Sequence, residues 1–273
     1  MTAIEAPQTQ TQLRPPSFWH SFAALFAKER AQNLPLLGLV VLGMLLALLL
    51  IWWRAPATGN FGSSPRLALA ALLTLVPVSF ALLKGFWQVR SEFAQHTHVL
   101  LQTLPTRGLA VMLAKYLWLW VEVLLLSAVA FGGLLLCLAA TPGALMTPQI
   151  NGTPLPIDAR FWGEVAKLTF VAALTFAPLP ALALTATALG RLIRRYDLPV
   201  SFAAYIALIF ALGELYAKVA EWKLNLPGLS FFSGNPRFSN DIPAVPGEFL
   251  LLPVLVTGAL LILAGWLFER HDA

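Results

Sequence analysis

Ionisable residues that lie inside apolar stretches are the best candidates for chemistry in this sequence. Glu122 lies in the apolar run 116–140, two helical turns after Lys115 and on the same helical face. Because a lone carboxylate within a membrane costs about 2.5–3.5 kcal/mol, Glu122 is expected to face protein or a water-filled cavity. It would then contribute a polar contact to a translocation path, or form a structural hydrogen bond at a helix–helix interface.

The sequence lacks the common catalytic and nucleotide-binding motifs. GxxxxGK[ST], HExxH and GxSxG are absent, so the chain is not expected to hold a nucleotide phosphate in the P-loop manner. His96 and His98 are two residues apart, which on a helix directs their rings to different sides and disfavours a shared metal. Glu164 and Lys167 are expected to form a local ion pair. We therefore predict no catalytic residue, no metal and no cofactor bound by this chain.

The composition indicates a membrane protein. Of the 273 residues, 58% are hydrophobic and 11% are charged, whereas soluble domains are about 45–50% apolar and about 25% charged. So few charges could not cover the surface of a soluble protein of this size, which excludes a soluble enzyme and a disordered chain. The net charge of +5 comes from residues scattered through short loops, so we expect contact with membrane lipids and no nucleic-acid partner.

Six apolar stretches reach or approach the length of about 20 helical residues that crosses a hydrocarbon core. The predicted spans are residues 34–53, 67–87, 113–140, 162–190, 198–217 and 248–268. Eleven Lys and Arg lie on the side of the N-terminus and seven on the other, which by the positive-inside rule places both termini in the cytoplasm. The sequence therefore predicts an all-α integral membrane protein with one six-helix domain over residues 33–273.

Residues 17–32 are predicted to form an amphipathic helix ahead of the first span. Ser17 is a suitable N-cap, and the two prolines before it prevent an extension backward. The apolar stripe of this helix consists of Phe18, Trp19, Phe22, Leu25 and Phe26. We expect the stripe to lie on lipid in the membrane interface; the alternative is an ordinary amphipathic helix packed on protein. Residues 1–16 are expected to be a disordered tail.

Two segments carry a recognisable pattern. The first is marked by Ser91, Glu92, Thr97, Leu100, Leu101, Pro105 and Lys115, with His96 and Arg107 at the points of departure; the second is marked by Lys28, Glu29 and Arg30. The first resembles the loop between spans two and three of the ABC-2 type transporter permeases, commonly S-E…G-T-x-x-x-L-L-x-x-P-x-S-R with a Lys where the next helix begins. The second resembles that family's interfacial helix, which is often rich in K-E-x-R.

The resemblance implies a type V exporter-like architecture and a function. The chain would be a permease subunit of an ABC transporter in the plasma membrane, which in a bacterium is the inner membrane. It would pair with a second permease copy or a homologous permease, and with an ABC ATPase subunit that holds the ATP and Mg²⁺. The contact with that ATPase would lie in a coupling loop formed by Glu92, Thr97, Leu100, Leu101, Leu104, Pro105 and Arg107.

Other interpretations stay open at this stage. The apolar residues of the coupling loop would also suit packing against the protein's own helices. An integral-membrane enzyme could use Glu122 or Glu164 together with the proline-rich outer loops. A non-transporting membrane assembly or immunity factor could have the same fold without turnover.

Overall fold

The computed structural model describes residues 17–56, 64–94, 108–139, 149–150, 153–154, 159–193, 196–222, 224, 226–231 and 245–270. The helices in this part of the chain are α1 (Phe18–Arg54), α2 (Pro65–Leu73), α3 (Leu75–Ala94), α4 (Gly108–Ala139), α5 (Ala159–Phe176), α6 (Pro178–Arg191), α7 (Asp197–Trp222) and α8 (Gly247–Arg270). Two short strands, β1 (Gln149–Ile150) and β2 (Thr153–Pro154), pair antiparallel between α4 and α5.

Six helical stretches of the described chain are long and apolar enough to cross a membrane. They are Phe18–Arg54, Pro65–Glu92, Gly108–Cys137, Ala166–Arg191, Asp197–Trp222 and Gly247–Arg270. The prediction of a mainly helical chain with six helices able to cross a membrane is therefore confirmed for the described residues. The helix of the fifth span extends to Trp222, five residues beyond the predicted limit of 217.

Two of the six spans are broken where the sequence predicts single helices. Proline has no N–H to donate, so a helix that reaches one loses a hydrogen bond of its ladder. Before Pro178, the N–H of Ala177 instead donates to the Leu174 carbonyl at 3.1 Å, which separates α5 from α6. A similar break lies three residues before Pro77. There the N–H of Thr74 donates to the Ala71 carbonyl at 3.0 Å, which separates α2 from α3.

The first helix corrects the predicted boundary between residues 17–32 and the first span, because α1 runs unbroken from Phe18 to Arg54. Leu25 is buried in the main core, and Phe22 and Phe26 pack against that core. The Phe26 ring also lies edge-on to Trp118 of α4, with centroids 5.7 Å apart. Phe22, Leu25 and Phe26 of the apolar stripe therefore contact the protein, whereas Trp19 is 71% exposed.

The core of the bundle surrounds α6, whose side chains are nearly all buried. Small residues let neighbouring helices approach it closely, so that a Cβ added to Gly85 of α3 would lie 2.8 Å from the Cβ of Ala183. The hydroxyl of Thr185 donates across to the Leu260 carbonyl of α8 at 3.0 Å. Close backbone approach and interhelical hydrogen bonds are typical of helix packing in membranes.

The ends of the helices group into two sets. At one end, which we call the terminal end, the N–H of Gly108 at the start of α4 donates to the Glu269 carboxylate at the end of α8, 2.5 Å away. At the opposite end, Lys167 of α5 donates to the Ser230 carbonyl at 3.2 Å, and Leu229 pairs with Val245 ahead of α8. Lys115, two turns into α4, contacts Glu29 of α1, so the first part of α1 lies at the same end as the end of α8.

The loop charges predict which end faces the cytoplasm, and cysteine labelling measures it. In a Cys137→Ser background, Ser230→Cys at the opposite end is expected to react with a membrane-impermeant maleimide in intact cells. Ile193→Cys, exposed at the terminal end, is expected to react only after the membrane is permeabilised, because the excess of Lys and Arg keeps that end inside. Labelling of Ile193→Cys in intact cells would contradict this orientation.

Candidate functional site

Lys115 is the centre of a buried charge cluster at the terminal end. Its Nζ lies 2.6 Å from Oε1 of Glu29 and 3.0 Å from Oε1 of Glu92. The same Glu92 oxygen accepts from the Nζ of Lys28 at 2.8 Å. The Lys115 side chain is only 2% exposed and those of both glutamates 6%. We call these four residues the terminal cluster; it joins α1, α3 and α4.

The cluster is electrically balanced, with two ammonium groups and two carboxylates. Asn33, one turn after Glu29, donates to the Glu29 carbonyl at 2.8 Å and to its carboxylate at 3.1 Å, so both carboxylate oxygens of Glu29 accept hydrogen bonds. Desolvation costs several kcal/mol per buried ion, and pairing offsets this cost only while every partner is present. Loss of any one of the central three charges would therefore leave an uncompensated ion in the bundle.

A second ion pair lies deeper in the same seam. Lys84 of α3 donates to Glu122 of α4, and the Trp118 indole N–H donates to the same carboxylate oxygen at 2.7 Å. The Glu122 side chain is completely buried. Glu122 is seven residues beyond Lys115, which on a helix corresponds to about 10 Å along the axis. This deep pair is therefore well inside the membrane-spanning part of the bundle.

The two ion-pair groups belong to one polar row. Lys84, Gln88 and Glu92 recur every four residues and so share one face of α3, and the outer two of them contact α4. Gln88 is 4% exposed, and neither atom of its amide has a hydrogen-bond partner among the described residues. The row fixes the register of α1, α3 and α4, since a slip of one helix would separate several charges at once.

Further polar contacts hold the end of α3 at the terminal end. Arg191 at the end of α6 lies 3.3 Å from the Asp197 carboxylate, and Arg90 of α3 approaches the same carboxylate at 3.8 Å. Arg191 also donates to the Arg90 carbonyl at 3.2 Å. The end of α3 is thus tied to α6 and α7, as well as to α1 and α4.

The structure brings together several residues that the sequence singled out and leaves others apart. Lys28, Glu29 and Glu92 meet in the terminal cluster, whereas Arg30 is exposed beside it. The remaining residues of the expected coupling loop lie outside the described residues; they are Thr97, Leu100, Leu101, Leu104, Pro105 and Arg107. Their position between Ala94 and Gly108 places them directly between α3 and α4 in the chain.

The structure gives the two ionisable residues on the shared face of α4 different partners. Lys115 binds Glu29 and Glu92, whereas Glu122 binds Lys84, which is buried with it. Sequence reasoning placed Lys115 and Glu122 on one face but did not identify Lys84 as the partner of Glu122. One signal in the sequence could have identified the pair of Lys84 and Glu122. Each is an ionisable residue inside an apolar stretch, and the two stretches are consecutive predicted spans.

The expected pair at the opposite end is present. Lys167 and Glu164 lie 2.8 Å apart on α5. Both acids considered for an enzyme, Glu122 and Glu164, are therefore bound to lysines in the structure.

The sequence matches no protein-family model and no curated protein. Any assignment of function to this chain therefore depends on its own residues and their geometry.

Proposed function

We propose that this chain is the membrane-spanning permease subunit of an ABC transporter of the ABC-2 type, an exporter driven by ATP that a separate subunit hydrolyses. One observation carries the proposal: Lys115 binds Glu29 and Glu92 at the same time. These three residues belong to the segments that resemble the family, and they are separated by 86 and 23 positions in the chain. Short resemblances in distant segments gain weight when the matching residues are in contact.

The terminal cluster is well placed to pass a movement of the coupling loop to the spans. Residues 95–107 lie between α3 and α4 in the chain, and Glu92 and Lys115 lie near the two ends of this segment. Glu29 extends the contact to α1. A displacement of the loop by an ATPase would move α3 and α4 together, and the buried ion pairs would carry α1 with them.

The proposal also assigns partners and a location. ATP and Mg²⁺ reside on the ABC ATPase subunit, which docks on the terminal end in the cytoplasm. Spans α1 and α7 are the least buried, with 11% of their most apolar windows inside the bundle. Their apolar faces are available to membrane lipids and to a second permease copy or a homologous permease. The membrane is the plasma membrane, in a bacterium the inner one.

The alternatives receive less support from the described residues. An enzyme that used Glu122 or Glu164 as an acid would first have to release it from its lysine. A non-transporting assembly or immunity factor would have the same charge cluster, but its ATPase, if it bound one, would show no substrate-stimulated turnover.

Leu101→Asp tests the docking contact. We expect this change to weaken binding of the ATPase by about 2 kcal/mol or more, roughly 30-fold, because it places a charge at an apolar anchor of the coupling loop. The measurement is the amount of ATPase that co-purifies with the gently solubilised chain, together with its substrate-stimulated turnover. Thermal unfolding of the membrane part is expected to be unchanged.

Ile193→Asp is the matched control, because Ile193 is exposed at the same end but lies outside residues 95–107. It is expected to retain the ATPase. If Leu101→Asp retains the ATPase with undiminished turnover, the docking site is elsewhere.

A further inference from the structure

An apolar groove of about 470 Å³ lies between α4, α5 and α8, beside the turn at Ala177. Phe170 of α5 and Val254 of α8 line it and are both exposed on the outside of the bundle, so the groove is accessible from the hydrocarbon of a membrane. Gly258, which is exposed, also lines the groove, and a Cβ added there would meet no atom within 4 Å. The groove is therefore wide enough to receive a molecule from the side.

Three polar groups interrupt the apolar lining. The Tyr116 hydroxyl donates to the Ala177 carbonyl at 3.2 Å. The Trp120 indole and the Thr257 hydroxyl lie near the Tyr116 hydroxyl. Neither the Trp120 N–H nor the Thr257 hydroxyl completes a hydrogen bond of normal geometry with any residue that the structure describes. Thr257 is only 7% exposed, so water does not easily satisfy it.

Thr257 lies near the middle of α8. Thr257 is ten residues after Gly247 and thirteen before Arg270, which on a helix corresponds to about 15 Å and about 20 Å from the ends of α8. The ester and headgroup oxygens of bilayer lipids lie near the membrane surface, outside the hydrocarbon core. Buried polar groups in proteins nearly always have a hydrogen-bond partner. A molecule that carries an oxygen into the hydrocarbon would supply it.

We propose that this groove binds a neutral, lipid-soluble molecule with a hydrogen-bond acceptor oxygen of the carbonyl type, which enters sideways from the bilayer. The Trp120 N–H can only donate and the Thr257 hydroxyl can donate, so both favour an acceptor on the ligand. None of the described residues that line the groove is charged, which disfavours an ionic ligand. The proposal does not depend on the proposed transport function.

Photolabelling of the full-length chain in lipid nanodiscs tests this inference. The probe is a long-chain aliphatic ketone that carries a diazirine, and the comparison probe is the hydrocarbon of the same length with the diazirine but without the carbonyl. The ketone probe is expected to label α4, α5 and α8 saturably, and unlabelled ketone is expected to compete. The labelled residues are mapped by peptide mass spectrometry.

Two variants distinguish the contribution of the groove's shape to binding from the contribution of its polar groups. Gly258→Phe, whose Cβ would meet no atom within 4 Å, is designed to fill the groove and is expected to reduce saturable labelling about tenfold or more. Gly213→Phe, at another glycine with open space for a Cβ, is the control and is expected to leave labelling unchanged. Thr257→Val removes one hydroxyl with little change in shape and is expected to weaken binding of the ketone probe about five- to tenfold, while labelling by the hydrocarbon stays the same.

Thermal unfolding identifies any variant that fails to fold, and the labelling of folded variants decides the proposal. Labelling that does not saturate, or that Gly258→Phe leaves unchanged, overturns the groove as a binding site. Equal saturable labelling by the ketone and the hydrocarbon overturns the requirement for an acceptor oxygen.

Discussion

Lys115→Met is expected to lower the free energy of unfolding by about 3–5 kcal/mol, because it leaves the carboxylates of Glu29 and Glu92 buried without the cation that they share. The loss is measured by denaturant or thermal unfolding of the solubilised chain, followed by tryptophan fluorescence. Lys167→Met is the matched control: Lys167 is 35% exposed and makes a local pair at the opposite end. Its loss is expected to cost less than about 1 kcal/mol.

A double variant tests whether Lys115→Met destabilises the protein by leaving a charge unpaired or by disrupting packing in general. In Lys115→Met combined with Glu29→Gln, the pair between Lys28 and Glu92, 2.8 Å apart, still compensates the remaining charges. We therefore expect this double variant to recover part of the lost stability. If the cluster also transmits movement, the double variant folds but its ATPase partner loses substrate-stimulated turnover. Equal stability of Lys115→Met and Lys167→Met would contradict the role of the terminal cluster.

Glu122→Gln is expected to be as damaging as the loss of Lys115. The change leaves the Lys84 ammonium unpaired in the middle of a span, at a cost of about 3–5 kcal/mol. The amide oxygen that replaces the carboxylate still accepts from Trp118, so the loss of charge pairing is the main effect. Folded protein recovered after solubilisation and its unfolding midpoint are the measurements.

Lys84→Met combined with Glu122→Gln separates the two roles that the sequence leaves open for Glu122. Because no unpaired charge stays buried, this double variant is expected to be close to the parent in stability, and the two single effects are strongly non-additive. If the deep pair serves helix packing alone, the double variant also keeps substrate-stimulated turnover. A stable double variant without turnover assigns Glu122 to the translocation path, and a double variant as unstable as the single ones contradicts the ion-pair account.

Much of the fold could be predicted from the sequence, since length and hydropathy decide what can cross a membrane. Six helices long and apolar enough to cross a membrane are present in the described part of the chain, as the hydropathy predicts. The breaks before Leu75 and Pro178 were not predicted, although Pro178 itself was a local signal. The join between residues 17–32 and the first span was also missed, because amphipathic and fully apolar segments differ in environment and can still form one helix.

The apolar surroundings of Glu122 in the sequence indicated that it faces protein or a water-filled cavity, and the resemblance to a family singled out Glu29, Glu92 and Lys115. Only the tertiary structure decided which charge binds which. Lys115 and Glu122 share a face of α4, but each pairs with the helix that lies nearest at its own depth: α1 and α3 at the terminal end, and α3 farther in. Hydropathy depends on each segment alone, whereas an ion pair depends on the distance between two segments, and packing sets that distance.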